Sequence, residues 1–312
     1  MRRLFIIGNG FDLDHKLPTK YEDFHKYLRT AYPDANEEYV CVPEFTVGHH
    51  GEDVCDKDEV VGYLMNLISR TDGDIWADFE SSLGRLDFDD DFYELTPQYD
   101  HDGDRNLWHE AYDNEDLAAR LEMCVPYIST LFSEWIDSID ISLVKPNAKF
   151  QRLVQPDDIF LNFNYTTVLE QVYRISPSAV CHIHGVQGEE LIFGHGEGNR
   201  FDEDHASPYI GCEDGLENIQ SALRKDTAGA IKQHEQFFQD IPHELQSIYS
   251  YGFSFSKVDE EYLKLICSHV DTSKSTWFLN SYALKNNPAI HKKHIQTIIK
   301  CGFKGKFDTF TT

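Results

Sequence analysis

Long apolar runs are missing from this chain of 312 residues: the longest span about four to six positions, against the roughly 18–20 that a membrane helix needs. The sequence therefore predicts no membrane-spanning helix and no membrane partner. Met1-Arg2-Arg3 before Leu4-Phe5-Ile6-Ile7 has the charge of a secretory leader, but the apolar stretch stops at Gly8 and no small-residue cleavage site follows. It reads as the buried first strand of a cytoplasmic protein. Basic residues are scarce, 28 Lys and Arg against 54 Asp and Glu, for a net charge of −26. A field of that sign repels phosphate backbones, so nucleic acid is a poor partner. Any bound phosphate must be held by local dipoles. Paired cysteines are also lacking. The seven stand at 41, 55, 124, 181, 212, 267 and 301, with no C-x2-C or C-x4-C spacing. That excludes a disulfide framework and a four-cysteine zinc site and predicts reduced thiols.

What is present is globular in composition: 41% hydrophobic, 13% aromatic and 26% charged. The length accommodates two domains of about 100–200 residues each. Leu4 to Ile7 is followed by a turn rich in Gly, Asp and Pro, and then by Thr19-Lys20-Tyr21-Glu22, a capping-box pattern with Thr19 as N-cap. Phe24, Tyr27 and Leu28 follow at helical spacing. Val60, Val61, Leu64, Met65 and Ile68 fit one helix face, and Ile128, Leu131, Phe132, Trp135, Ile136 and Ile139 fit another. Between them, Asp87 to Arg105 reads as a solvated acidic loop, and its oxygen spacing matches no calcium loop. After residue 150 the period changes. Ile159–Leu161, Ala179–His184, Leu191–Phe193, Ile248–Tyr251 and Thr276–Leu279 are short runs of strand formers, each ending at or near Gly or Asn. Helical patterns at 259–267 and 289–299 separate some of them. The prediction is an α/β fold: a Rossmann-type parallel sheet from residues 1–32 plus 150–312, with a mostly helical insertion at 33–149.

Open parallel sheets bind ligands outside the carboxyl ends of their strands, and every polar cluster in this sequence sits at such an end. Gly8-Asn9-Gly10-Phe11-Asp12 fits either a phosphate loop with free N–H groups or a tight turn, and Asp12 suits a ribose hydroxyl. Asn162 and Asn164 share a strand face, where an amide can position a water or a sugar hydroxyl, or simply form a turn. His182 and His184 admit three readings: a metal pair completed by His195 and His205, a general base at His184, or two ordinary polar histidines. A metal site needs carboxylates at set spacings, so no metal is expected. Gly252-Phe253-Ser254-Phe255-Ser256 with Asp259 again joins a strand to a helix. Ser256 or Asp259 could cap that helix, and Ser254 could bond a ligand.

The opening LFIIGNGFDLDHKLPTKYEDF closely resembles the start of the AbiH family of bacterial phage abortive-infection proteins, and FLNFNYTTVLE, HIHG, LIFGHG and YGFSFSKVDEEYLKLI resemble its later segments. In the same order these segments resemble the wider sirtuin-like NAD-binding fold. That resemblance implies a phosphate loop at Gly8, Asn9 and Gly10 with Asp12 beside it. It implies a catalytic Asn at Asn164 and a catalytic His at His184, a ribose and phosphate loop at Gly252 and Ser254, and an adenosine-side Asn at Asn280. Thr166 stands where that fold usually has Asp, the first loop is G-N-G rather than G-A-G, and the paired cysteines of the deacylases are absent. The implied activity moves accordingly from deacylation to NAD cleavage at the nicotinamide–ribose bond, with NAD as substrate, a phage-derived trigger and a homo-oligomer as expected partners. Three rivals stay open: a non-catalytic NAD or ADP-ribose sensor, an interaction protein, and a metal-dependent nuclease or phosphoesterase.

Overall fold

Strands that are apolar along their whole length are buried on both faces, and the ones found here line up side by side. A computed structural model describes residues 3–38, 41–50, 53–95, 97, 99, 101–196 and 209–312. The chain divides into two units, Met1–Lys20 with Ile136–Ile192 and Asp226–Thr312, and Tyr21–Trp135 with Phe193–Lys225. The first is built on six parallel strands: β1 (Leu4–Ile7), β2 (Ile159–Asn162), β3 (Val180–His182), β4 (Ser247–Tyr251), β5 (Thr276–Asn280) and β6 (Lys306–Phe310). Their order across the sheet is β3-β2-β1-β4-β5-β6. That is the doubly wound, Rossmann-type arrangement, whose ligand crevice opens where the order reverses, here between β1 and β4.

Register is pinned by aromatic rings. Phe5 is paired with Phe160 on one side and Tyr249 on the other, and Tyr249 with Phe278. The rings stack at 5.1, 4.7 and 4.6 Å, a ladder across four strands. On the opposite face Leu4, Ile6, Leu161, Ile248, Trp277 and Leu279 join a second apolar cluster with Tyr262, Leu263 and Ile266 of the helix Glu260–His269. Arg3 fixes the start of β1 with two bonds to the buried Asp158 carboxylate, at 2.8 and 2.6 Å.

Two strand expectations are corrected. Leu191–Phe193 is not a strand. The chain doubles back after β3 through Gly185 (φ +86°), and the Ile192 N–H donates to His184 O at 2.8 Å, a return loop rather than a ladder. Conversely, β6 lies beyond the last strand run read from the sequence, Thr276–Leu279. Its alternation of Lys306, Phe307, Asp308 and Thr309 is that of a half-exposed edge strand.

The second unit is mostly helical, with Tyr21–Ala31, Lys57–Asp72, Leu107–Cys124, most of Ile128–Ser138, and Glu213–Ala222, beside a two-residue hairpin of Thr46–Val47 and Asp53–Val54. Both predicted helix faces are buried. Phe24 packs at 5.1–5.7 Å from Trp76, Phe79, Phe132 and Trp135. This cluster moves the division from residues 32/33 to 20/21. At the other side, Gln187 Nε2 donates to Ile136 O (2.7 Å) and Ile139 O (3.0 Å), which keeps residues 136–149 with the sheet. Phe193, stacked on Phe132 at 4.2 Å, opens a segment that returns to the helical unit.

Two local readings also change. Thr19 Oγ1 is buried without a hydrogen-bond partner, so the capping box is not made; Thr19 instead offers its carbonyl to Asn9 Nδ2 at 2.6 Å. The acidic stretch is not wholly solvated. It contains the short helix Asp89–Tyr93, and Asp91 is buried against Arg70 at 3.1 Å. Burial raises the Asp91 pKa and the Arg70 charge opposes the rise. None of the seven cysteines forms a disulfide. No described helix is long and apolar enough to cross a membrane.

Candidate functional site at the carboxyl ends of the strands

At the switch point two turns press backbone to backbone. The Gly8 N–H donates to Tyr251 O (3.0 Å) and the Gly10 N–H to Gly252 O (2.9 Å). A Cβ on Gly10 would lie 2.6 Å from Gly252 Cα, and one on Gly252, where φ is +68°, 2.2 Å from the Phe11 nitrogen. The glycines are required by this close approach. Both N–H groups are spent inside the fold, so the tight-turn reading holds for Gly8 and Gly10, and the free N–H groups of a phosphate loop are not theirs. Asn9 opens the helix Asn9–Asp14 and is exposed.

Asp12, two residues after Gly10, is fully enclosed. Its Oδ2 accepts from Thr166 Oγ1 at 2.7 Å, and its Oδ1 has no hydrogen-bond partner. Burial pushes its carboxyl up to about 7, against the lowering effects of Thr166, the neighbouring Asn164 side chain and the His182 charge. Asn164 follows β2. Its N–H donates to Asn162 Oδ1 (3.1 Å), and its buried Nδ2 also lacks a partner. Thus Asp12, Asn164 and Thr166, from the ends of two adjacent strands, form one buried polar group. Asn164 Nδ2 and Asp12 Oδ1 make no well-formed hydrogen bond, yet the Asn164 side chain lies close enough to lower the Asp12 carboxyl as a hydrogen-bonding neighbour does. Buried polar groups without a full set of partners are costly, and their persistence calls for an explanation in function, strain or bound water.

The two histidines part company. His182 Nε2 bonds Glu170 Oε1 at 2.8 Å, and its Nδ1 faces Asn164 O at 3.2 Å. His184 is 2% exposed. Its Nε2 lies 3.2 Å from Tyr262 OH and 3.8 Å from Asp259 Oδ1. Phe163 packs edge-on to the His184 ring at 5.2 Å and to the Tyr262 ring at 5.4 Å. The histidine pair is therefore not a pair of metal ligands aimed at one point. His195 lies in the other unit, with Nε2 3.0 Å from Gln220 O, and His205 lies outside the described residues. Among the described residues no group of three or more His, Cys, Asp or Glu could hold a metal ion.

Gly252 starts a strained crossing. Phe255 is buried at φ +58°, an uncommon conformation for an aromatic residue, with its ring against Phe253 (4.8 Å) and His294 (4.6 Å). Burial lowers His294 to about 4, helped by His291 and Lys293, so its ring is neutral at physiological pH. Ser254 is exposed on this loop. Neither Ser256 nor Asp259 caps the next helix through its side chain: Ser256 Oγ donates to Asp259 Oδ2 at 2.7 Å, and Asp259 turns to His184. Asn280 caps the helix Ser281–Asn286 by accepting from the Tyr282 N–H (2.9 Å), and its Nδ2 donates to Thr312 Oγ1 (2.9 Å). Both ends of its amide are occupied within the protein.

Sequence reasoning missed Tyr262 and Glu170, the partners of the two histidines, and the pairing of Asp12 with Thr166. Tyr262 stands three residues after Asp259, one helical turn on, which is the signal that could have linked them to a single neighbour. A family model described as bacteriophage abortive infection AbiH matches residues 4–281. No curated protein and no solved structure matches the chain.

Proposed function

The chain belongs to the AbiH bacteriophage abortive-infection family, and from that premise we propose that it acts in the cytoplasm by hydrolysing NAD at the nicotinamide–ribose bond. One observation carries this reading. Asp12, Asn164 and Thr166 form one buried polar cluster at adjacent strand ends of a Rossmann-type sheet, in which the donor Asn164 Nδ2 and the acceptor Asp12 Oδ1 lie near each other without a well-formed hydrogen bond. A ribose hydroxyl is donor and acceptor at once, and satisfies both. This chemistry supports a dinucleotide held on its ribose side. For the pyrophosphate, Asn9 and Ser254 are the exposed polar groups on the two turns, with Gly8, Gly10 and Gly252 letting the backbones meet beneath.

In the proposed reaction the C1′–nitrogen bond breaks, its electron pair stays with nicotinamide, and the ring leaves neutral. The ribose passes through an oxocarbenium-like state. A water oxygen bonds to C1′ and loses one proton, giving ADP-ribose. Asn164 orients the ribose. His184 takes the proton, and the Asp259 carboxylate stabilises the imidazolium that forms. Asp12 accepts the hydrogen bond of a ribose hydroxyl. Tyr262, at 3.2 Å, fixes the ring of His184.

The test is nicotinamide release from NAD by the purified protein beside Asn164→Ala and His184→Ala. Loss of release in both variants, with melting temperatures unchanged, is the expected result. A variant that keeps full turnover removes its residue from the mechanism. Thermal stabilisation by NAD with no product overturns hydrolysis in favour of a sensor.

A further inference from the structure

The net charge is not spread over the molecule. The helical unit, Tyr21–Trp135 with Phe193–Lys225, carries 36 acidic and 10 basic residues, a net charge of −26. The sheet unit carries 18 of each and is neutral. The helical unit also displays Tyr93, Leu107, Trp108, Tyr112 and Ile210, all more than half exposed. Of these, Tyr93, Leu107 and Ile210 adjoin one another, and adjoining exposed apolar groups mark a surface for a partner. Between Tyr93, Leu107 and Ile210 opens a cavity of about 540 Å³, with these residues and Phe92 as apolar wall and Glu94 and Asp113 as acidic wall. Leu107, Glu110 and Asp113 follow one another at three-residue spacing along Leu107–Cys124, so that one helix face meets the cavity. Arg105, the basic residue in the wall, is held by Glu110 at 2.6 Å.

We propose that this cavity is a docking site for a basic protein segment, rich in Lys and Arg, that inserts an aromatic or aliphatic anchor. Charge complementarity selects the occupant. The −26 field draws a cation and repels nucleic acid and acidic protein, and a second copy of this chain carries the same charge. The cavity volume supplies what a diffuse charge does not, a place for one large apolar side chain. The inference uses the helical unit alone and is independent of any reaction at the sheet.

Three probes test it on the full-length protein: a labelled decapeptide of Lys and Arg around a central Leu-Phe pair, the same peptide with Ser-Ser at its centre, and spermine. Anisotropy gives affinity. Substitutions in the cavity wall give location. The Leu-Phe peptide is expected to bind about tenfold or more tighter than the Ser-Ser peptide. It is expected to weaken by about tenfold or more between 50 and 500 mM salt. Glu94→Lys with Asp113→Lys should abolish binding, and Tyr93→Ala, at an exposed position, should weaken it without altering the melting temperature. Equal binding of the two peptides, equal binding of spermine, full affinity in the charge-reversed variant, or no binding of either peptide overturns the proposal.

Discussion

Asp12 concentrates the conflict between stability and chemistry in one side chain. Its carboxyl is enclosed and raised from 3.8 to about 7, with desolvation as the main cause. A raised acid pKa means that the folded state binds more protons than the unfolded state between those two values. Stability therefore falls as pH rises from about 4 to about 7, and stays low above. Asp12→Asn keeps an acceptor for Thr166 and removes the charge. We expect it to stabilise the protein at pH 8 by at most about 4 kcal/mol, with the gain vanishing below pH 4. Urea denaturation at pH 4 and pH 8 checks the sign, and a variant that is less stable at pH 8 contradicts it. If Asp12 holds the ribose as an ionised acceptor, nicotinamide release by the wild type rises through pH 7 and the Asn variant loses that rise. A pH profile unchanged by the substitution would remove Asp12 from the site.

At the scale of elements, the meeting of the two central turns is the least forgiving place in the sheet unit. Gly252→Ala puts a methyl group 2.2 Å from the Phe11 nitrogen at φ +68°, against backbone that cannot swing away. We expect a loss of at least about 3 kcal/mol in urea titrations, and a change below 1 kcal/mol would show that the turns separate easily. The same elements show how far the sequence could be read. Leu4–Ile7, Ile159–Leu161 and Ile248–Tyr251 were legible because central parallel strands are apolar without interruption, and the ends of the first two located Asp12 and Asn164 at the sheet's ligand side, as the end of Val180–His182 did His184. The edge strand β6 was not, since half its residues are polar and only pairing with β5 makes it a strand. Leu191–Phe193 has strand composition, yet the reversal at Gly185 leaves it without a ladder. Thr19 matches a cap motif whose bond is not formed. The buried cluster of Asp12, Asn164 and Thr166, and the contact of His184 with Asp259, depend on packing between segments as much as 154 residues apart in the chain, as Thr166 and Asp12 are. No local pattern encodes that.

For the whole molecule, charge and architecture divide along the same line. A neutral sheet unit is joined to a helical unit of net charge −26. Like charges confined to one unit oppose its compact state, and the opposition weakens as the Debye length falls from about 30 Å at 0.01 M salt to about 3 Å at 1 M. The pair of Arg70 and the buried Asp91 is shielded from this effect, but the exposed carboxylates of Asp89, Glu115 and Asp116 are not. Salt should therefore stabilise the two units unequally. Amide exchange in Val60–Ile68 and Leu117–Leu121 is expected to slow on the order of tenfold between 0.01 and 0.5 M sodium chloride, while exchange in β1 and β4 changes little. Equal slowing in both units would mean that the repulsion is shared by a single cooperative fold. Faster exchange in the helical unit at high salt would mean that its ion pairs, and not its excess of carboxylates, govern its stability.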